Sequence, residues 1–262
     1  NELRATRALI SGGASGIGLA IAEALASQGV ELILASRRRG LLEQEAARLE
    51  ARYGVRVMAL ALDVCDGDQV RDGHARIRER LGPIDLLINN SGVGSDHLVQ
   101  DLPESEWDRV MDTCAKGTFL LTRACLPDML ANRHGTVINI ASQAARYGYA
   151  RASVYCAAKF AVLGFARALR EEVQHQGIRV HTLCPGLVQV PPPACAADRK
   201  PGWLQVEDLA EAVLYTLRQP PHVQLDEIGM TGTERGAMER QQGQGAPRRP
   251  LSCVTPPEAA CA

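Results

Sequence analysis

Short apolar runs rich in β-branched residues alternate with longer stretches in which apolar positions recur every three or four residues, up to about Met230. RALIS, VELILA, VRVMALAL, IDLLINN, GTVINIAS, IRVHTLCP and QLDEIGM have the pattern of strands. Between them, IGLAIAEALASQG, LLEQEAARLEARYG, GDQVRDGHARIRERLG, ESEWDRVMDTCAKGTFLLTRACLPDMLANRHG and SVYCAAKFAVLGFARALREEVQHQG have the pattern of amphipathic helices. A strand apolar along its whole length is buried on both faces, as in a parallel sheet covered by helices on either side. Helical stretches stop at Gly29, Gly54, Gly82, Gly135 and Gly177, where glycine accepts the left-handed turn that ends a helix. The pattern predicts an α/β fold: a single doubly wound domain over residues 1–230, with a parallel sheet of about seven strands flanked by helices. Residues 231–262 show no strand or helix period and are rich in Gly, Gln, Arg and Pro, so a mostly disordered tail is expected there.

Composition narrows the function classes. A net charge of -1 leaves no global field to recruit nucleic acid or an anionic membrane, so any anion site must be local. No apolar run approaches the roughly 20 residues of a membrane span. The eight cysteines stand singly, with no CxxC pair and no histidine at ligand spacing, which predicts reduced thiols and no metal site. Strand-like sequence begins within a few residues of Asn1, leaving no room for a signal peptide, and a cytoplasmic protein is expected. The six histidines are dispersed and read as surface or hydrogen-bonded residues, and Trp107 and Trp203 as packing residues.

Two regions carry chemistry. The first strand leads into ISGGASGIGLAIAEAL, where Gly12, Gly13, Gly16 and Gly18 fall between a strand and a helix. A helix N-terminus offers free N–H groups to phosphate, and glycines let a ligand approach the backbone, so a dinucleotide is expected there. The second region, INIASQAARYGYARASVYCAAKF, follows the fifth strand. Tyr155 and Lys159 are four residues apart and share one helical face, with Ser142 thirteen residues before Tyr155. A phenol with a pKa of about 10 is a poor base at neutral pH. A neighbouring ammonium favours its anionic form and suits it to proton transfer.

The spacing Gly12-x-x-x-Gly16-x-Gly18, the Ser142/Tyr155/Lys159 set, and the NNSG of Asn89 to Gly92 together resemble the short-chain dehydrogenase/reductase family, over roughly residues 5 to 230. Ser11 stands where the family has Thr, and Ser91 where it has Ala. The resemblance implies a Rossmann-type domain in which Ser142 polarises a carbonyl, Tyr155 transfers the proton, and Lys159 tunes Tyr155 and holds the nicotinamide ribose. It implies cofactor contacts from Gly12, Ser15, Gly16, Ile17 and Gly18, from Asp63 and Val64 after the third strand, and from Asn89, Ser91 and Gly92. Tyr155 and Lys159 join them, with Pro185, Gly186 and Val188 of CPGLVQV near the nicotinamide.

At the second strand's end, Ser36 replaces the acid that would bond both ribose hydroxyls of an unphosphorylated cofactor. Arg37, Arg38 and Arg39 follow, a poor placement for cations at the start of a helix. A hydroxyl and guanidinium groups suit a 2′-phosphate, which points to NADP(H), with Arg37 as main partner, Arg38 as second and Arg39 facing solvent. The bland alternative is a solvated basic helix start.

Two departures stand out. Cys114 occupies the place of an Asn linked to the proton relay, and a thiol is a weak hydrogen-bond partner. Val190 replaces a Thr that faces the carboxamide, and the proline-rich PPPACAADRKPGW after it suggests an open pocket. The expected function is an NADP(H)-dependent oxidoreductase acting on a small carbonyl or alcohol, as a homodimer or homotetramer, with no nucleic-acid or membrane partner. The alternative is a cofactor-binding, weakly catalytic redox-sensing or scaffold subunit.

Overall fold

A computed structural model describes residues 6–190 and 200–233. The elements run β1 (Arg7–Ser11), α1 (Gly16–Ser27), β2 (Glu31–Ser36), α2 (Arg39–Tyr53), β3 (Val57–Ala61), α3 (Gly67–Arg80) and β4 (Leu86–Asn89). They continue with α4 (Glu104–Met111), α5 (Gly117–Asn132), β5 (Gly135–Ile140), α6 (Ser153–Val173), β6 (Ile178–Pro185), α7 (Val206–Leu217) and β7 (Glu227–Met230). All seven strands are parallel in the order β3-β2-β1-β4-β5-β6-β7. The chain builds outward from β1 to β3, then returns to lay β4 on the other side of β1. That reversal opens a crevice at the carboxyl ends of β1 and β4, where such sheets hold ligands.

The alternation along each strand explains the two helical layers. Ile10, Leu32, Leu34, Ile88, Ile138 and Leu183 point to one face, where they pack with Ile21 and Leu25 of α1, Leu42 and Leu49 of α2, and Leu209 and Val213 of α7. Their neighbours Leu9, Ile33, Leu60, Leu87, Val137 and Val180 point to the other, against Val70 and Ile77 of α3, Leu121 and Cys125 of α5, and Leu169 and Val173 of α6. Every one of these side chains is buried, so each central strand is apolar on both faces.

Three local features differ from expectation. Gly29, Gly54, Gly82 and Gly177 have positive φ at helix ends, but Gly135 does not: Arg133 (φ 50) ends α5 and Gly135 opens β5. Glycine is required at 135 for space, because a Cβ there would lie 2.5 Å from Met129 Cγ. The long fourth helical stretch is interrupted by a π-helical segment, Asp112–Lys116, with Cys114 at its middle. Finally, α7 is absent from the five helices expected, although Leu209, Val213 and Leu217 share a face and Gln205 and Asp208 form a reciprocal cap. Among the described residues no helix is long and apolar enough to cross a membrane. Most of the expected tail, residues 234–262, lies outside the described residues, as do residues 191–199 of the proline-rich stretch.

Candidate active site

Two adjoining cavities, about 400 Å³ and 330 Å³, occupy the crevice. They share Ile17, Asn90, Gly92, Val93 and Val190 as walls.

The smaller cavity is built on the glycine loop. Gly12 (φ 65) and Gly16 (φ 54) take left-handed conformations that turn the chain from β1 into α1. Ser15 sits at the N-cap but makes no capping bond, so its side chain leaves the first N–H groups of α1 to another acceptor. Gly18 lies outside both cavities. A Cβ there would stand 2.3 Å from Gly12 O, so its glycine serves the close fold of the loop on the helix and not a ligand contact. Ser11 Oγ accepts the backbone N–H groups of Asn90 and Ser91, both at 2.9 Å, tying the strand after β1 to the loop after β4. A hydroxyl is enough for this, which accounts for Ser in place of Thr.

Asn89 is the second departure from the expected contacts. It is buried, and its Nδ2 donates to Thr122 Oγ1 at 3.1 Å and Asn139 Oδ1 at 2.9 Å, away from the cleft. Its neighbour Asn90 lines both cavities instead and donates to Ser11 O at 3.0 Å. Successive residues leaving a strand face opposite ways, so only one of the pair can point into the cleft.

Ser36, Arg37, Arg38, Asp63, Val64, Ser91 and Gly92 complete the smaller cavity. Helix α2 begins only at Arg39, so Arg37 and Arg38 belong to the loop before it and escape the unfavourable end of the helix dipole. Arg39 faces solvent and pairs loosely with Glu43 at 3.8 Å. Arg38 Nη2 donates to Ser15 Oγ at 2.8 Å, bridging the mouth of this cavity. Ser36 Oγ is buried with no hydrogen-bond partner. A buried hydroxyl normally has one, and this one faces two guanidinium-bearing residues in the same wall. Orphan hydroxyl, paired cations, uncapped helix and glycine cradle fit a phosphorylated dinucleotide.

Ser142, Tyr155 and Lys159 line the larger cavity together, with Pro185, Gly186 and Val188 opposite. Ser142 follows β5 and heads a 3₁₀ turn, its Oγ accepting the Ala144 N–H at 3.1 Å while its own proton is left to donate into the cavity. Tyr155 and Lys159 project from the first turns of α6, with Lys159 Nζ 5.7 Å from the Tyr155 ring centroid. Lys159 is 4% exposed, and its Nζ donates to Ile140 O at 3.0 Å, so two of its three donors remain for other partners. Asn90, Ser95, Gln143 and Tyr149 also line this cavity and were not expected from the sequence. Gln143 is held by its Nε2 donating to Cys184 O at 2.8 Å.

Cys114 is buried, and its thiol contacts only the Val93 backbone, with Sγ 3.5 Å from both the N and the O. Among the described residues Cys65, Cys114, Cys125, Cys156 and Cys184 are free thiols. Burial pushes Cys125 up to about 12 and raises Cys184. Cys195, Cys253 and Cys261 lie outside the described residues.

The sequence profile described as short chain dehydrogenase matches residues 6–197. The chain belongs to this family of oxidoreductases. The dehydrogenase chain is 33% identical over 230 residues to an uncharacterized oxidoreductase of Staphylococcus saprophyticus, covering 87% of this chain and 97% of that one. Among solved structures it is similar to an alcohol dehydrogenase of the archaeon Thermococcus sibiricus complexed with 5-hydroxy-NADP. The TM-score is 0.80 at 27% identity, over 88% of this chain and 98% of that one. It is also similar to L-sorbose reductase of Gluconobacter frateurii complexed with NADPH and L-sorbose, with TM-score 0.80 at 26% identity over 87% and 95% of the two chains.

Proposed function

We propose that this short-chain dehydrogenase uses NADP(H) to interconvert a small carbonyl compound and the corresponding alcohol, with Tyr155 as the proton donor and acceptor. The observation that carries the reading is the convergence of Ser142, Tyr155 and Lys159 on one cavity, beside a second lined by Ser36, Arg37 and Arg38. The bound nicotinamide supplies or accepts the hydride. Ser142 Oγ, already an acceptor from Ala144, donates to the carbonyl oxygen and orients it. Tyr155 Oη delivers a proton to that oxygen as it gains negative charge, or takes the proton in the reverse direction. Lys159, fixed by Ile140, sets a positive charge beside the phenol and directs its remaining N–H groups toward the cofactor's sugar. Asp63, Val64, Ser91 and Gly92 wall the adenine end, and Pro185, Gly186 and Val188 the nicotinamide end.

NADP and NADPH in the solved structures of similar proteins support the cofactor reading, as does the orphan hydroxyl of Ser36. An alcohol and a ketose among the neighbours' names favour small ketones and polyols over acyl thioesters as substrates. The free thiols suit a reducing compartment such as the cytoplasm. Exposed Phe119 and Phe160 on α5 and α6 suit a homodimer or homotetramer.

The test is NADPH oxidation over a panel of ketones, ketoses and aldehydes by the wild type and Tyr155→Phe. A loss of about 10²- to 10⁴-fold in turnover, with NADPH binding retained, is expected. Equal turnover in the variant defeats the mechanism. No turnover by the wild type on any member favours the cofactor-binding, weakly catalytic subunit, for which Cys114 is the specific observation.

A further inference from the structure

The two cavities meet at one side chain. Val190 lines both and is 52% exposed, although it stands in the middle of the crevice. Its Cγ1 lies 3.0 Å from the point where a Cβ on Gly16 would be, so the methyl rests on the backbone of the glycine loop. A dinucleotide joining Ser36, Arg37 and Arg38 to Ser142, Tyr155 and Lys159 has to cross that loop. The inference therefore rests on the dinucleotide reading proposed above.

The backbone behind Val190 is held on one side only. Gln189 N donates to Leu204 O at 2.8 Å, and Leu204 N donates to Leu187 O at 3.0 Å. The half-circle is closed by the buried Gln189 side chain, whose Oε1 accepts Lys200 N at 2.9 Å and Gln205 Nε2 at 3.3 Å. Gln205 in turn caps α7, with its N–H donating to Asp208 Oδ2 at 2.7 Å, and α7 packs in the same core as α1. Residue 189 is thus anchored to the helix layer, while the side chain of residue 190 overhangs the loop that begins α1. A valine is suited to such a place because its χ1 is stiff, so it blocks without folding away.

We propose that Val190 is an apolar bar across the dinucleotide path that must lift for the cofactor to pass Gly16 and closes behind it, and that Gln189 is the positioning residue that sets its height. The bar governs how fast the cofactor arrives and leaves more than how tightly it is held, since both rates pass through the same lifted state. The ligand part it acts on is the pyrophosphate, whose place is the uncapped start of α1.

Stopped-flow fluorescence of NADPH with the full chain tests this. In Val190→Ala the association and dissociation rate constants both rise several-fold, and the dissociation constant moves less than either. Val190→Thr, which keeps the shape, retains wild-type rates. Gln189→Leu, which loses the acceptor for Lys200, accelerates both rates, whereas Gln189→Glu, which keeps it, stays near the wild type. Rates unchanged or slowed in Val190→Ala, or equal acceleration in Val190→Thr, overturn the bar while leaving the dinucleotide reading intact. A wild type that binds no NADPH overturns the dinucleotide reading itself and the bar with it.

Discussion

At the scale of residues, the selectivity between phosphorylated and unphosphorylated cofactors comes down to three adjacent side chains. Ser36 offers a buried hydroxyl with no protein partner, and no carboxylate stands in its place to repel a phosphate. Arg37 lines the same wall without any protein hydrogen bond or ion pair of its own, whereas Arg38 is engaged with Ser15. Arg37→Asp is therefore expected to weaken NADPH by about 10- to 100-fold more than NADH, from the roughly 1.5–3 kcal/mol of one charged hydrogen bond. Titrating both cofactors against the variant checks this, and equal losses for the two would refute the clamp. Arg39→Ala serves as the control, since a loose and exposed pair contributes little. The basic triplet was legible in the sequence as an anion site. Which arginine entered the helix was not, because helix boundaries depend on tertiary packing. The same limit explains Asn89 and Asn90: the pair was visible, but its facing is set by where β4 ends.

At the scale of elements, β6 ties the crevice to the sheet edge and carries a buried titratable group. His181 is fully buried in β6, its Nδ1 bonded to Leu225 O at 2.8 Å just before β7. Burial holds its imidazole down at about 4, against an ordinary 6.5. The unfolded chain takes up a proton as pH falls through 6.5, while the folded chain does not until about 4. Stability is therefore full above 6.5 and drains across that window, by on the order of 3 kcal/mol from this residue. Burial lowers His74 as well, so part of the slope belongs to it. Urea unfolding between neutral pH and about pH 4.5 should show a steeper fall for the wild type than for His181→Asn. Identical slopes would remove His181 as the cause. The strands were readable because they are apolar on both faces, and the helix ends because Gly29, Gly54, Gly82 and Gly177 carry the left-handed turn. Helix α7 escaped because it follows an irregular proline-rich stretch, although its cap and apolar stripe were present. The π segment at Cys114 has no sequence period of its own, since it adds one residue to an otherwise continuous helical pattern.

At the scale of the whole molecule, a near-neutral chain concentrates its anion-binding groups in one crevice at the point where the sheet order reverses. Away from that crevice, α5 and α6 present exposed Phe119 and Phe160. Phe119 also packs edge-on against Phe165 at 6.2 Å and under Arg123 at 5.0 Å. Phe160→Glu is expected to shift the solution mass from a multiple of 28.2 kDa toward the single chain, as read by light scattering. A wild type already at the single-chain mass would contradict the assembly. The central claim, that hydride passes between a nicotinamide and a carbonyl carbon held by Ser142 and Tyr155, is tested most directly with NADPH deuterated at the transferred position. Incubated with the ketone or aldehyde that best consumes it, the wild type should yield an alcohol carrying deuterium on the former carbonyl carbon, and Tyr155→Phe almost none. An unlabelled alcohol, or no alcohol from any substrate tried, would contradict the account.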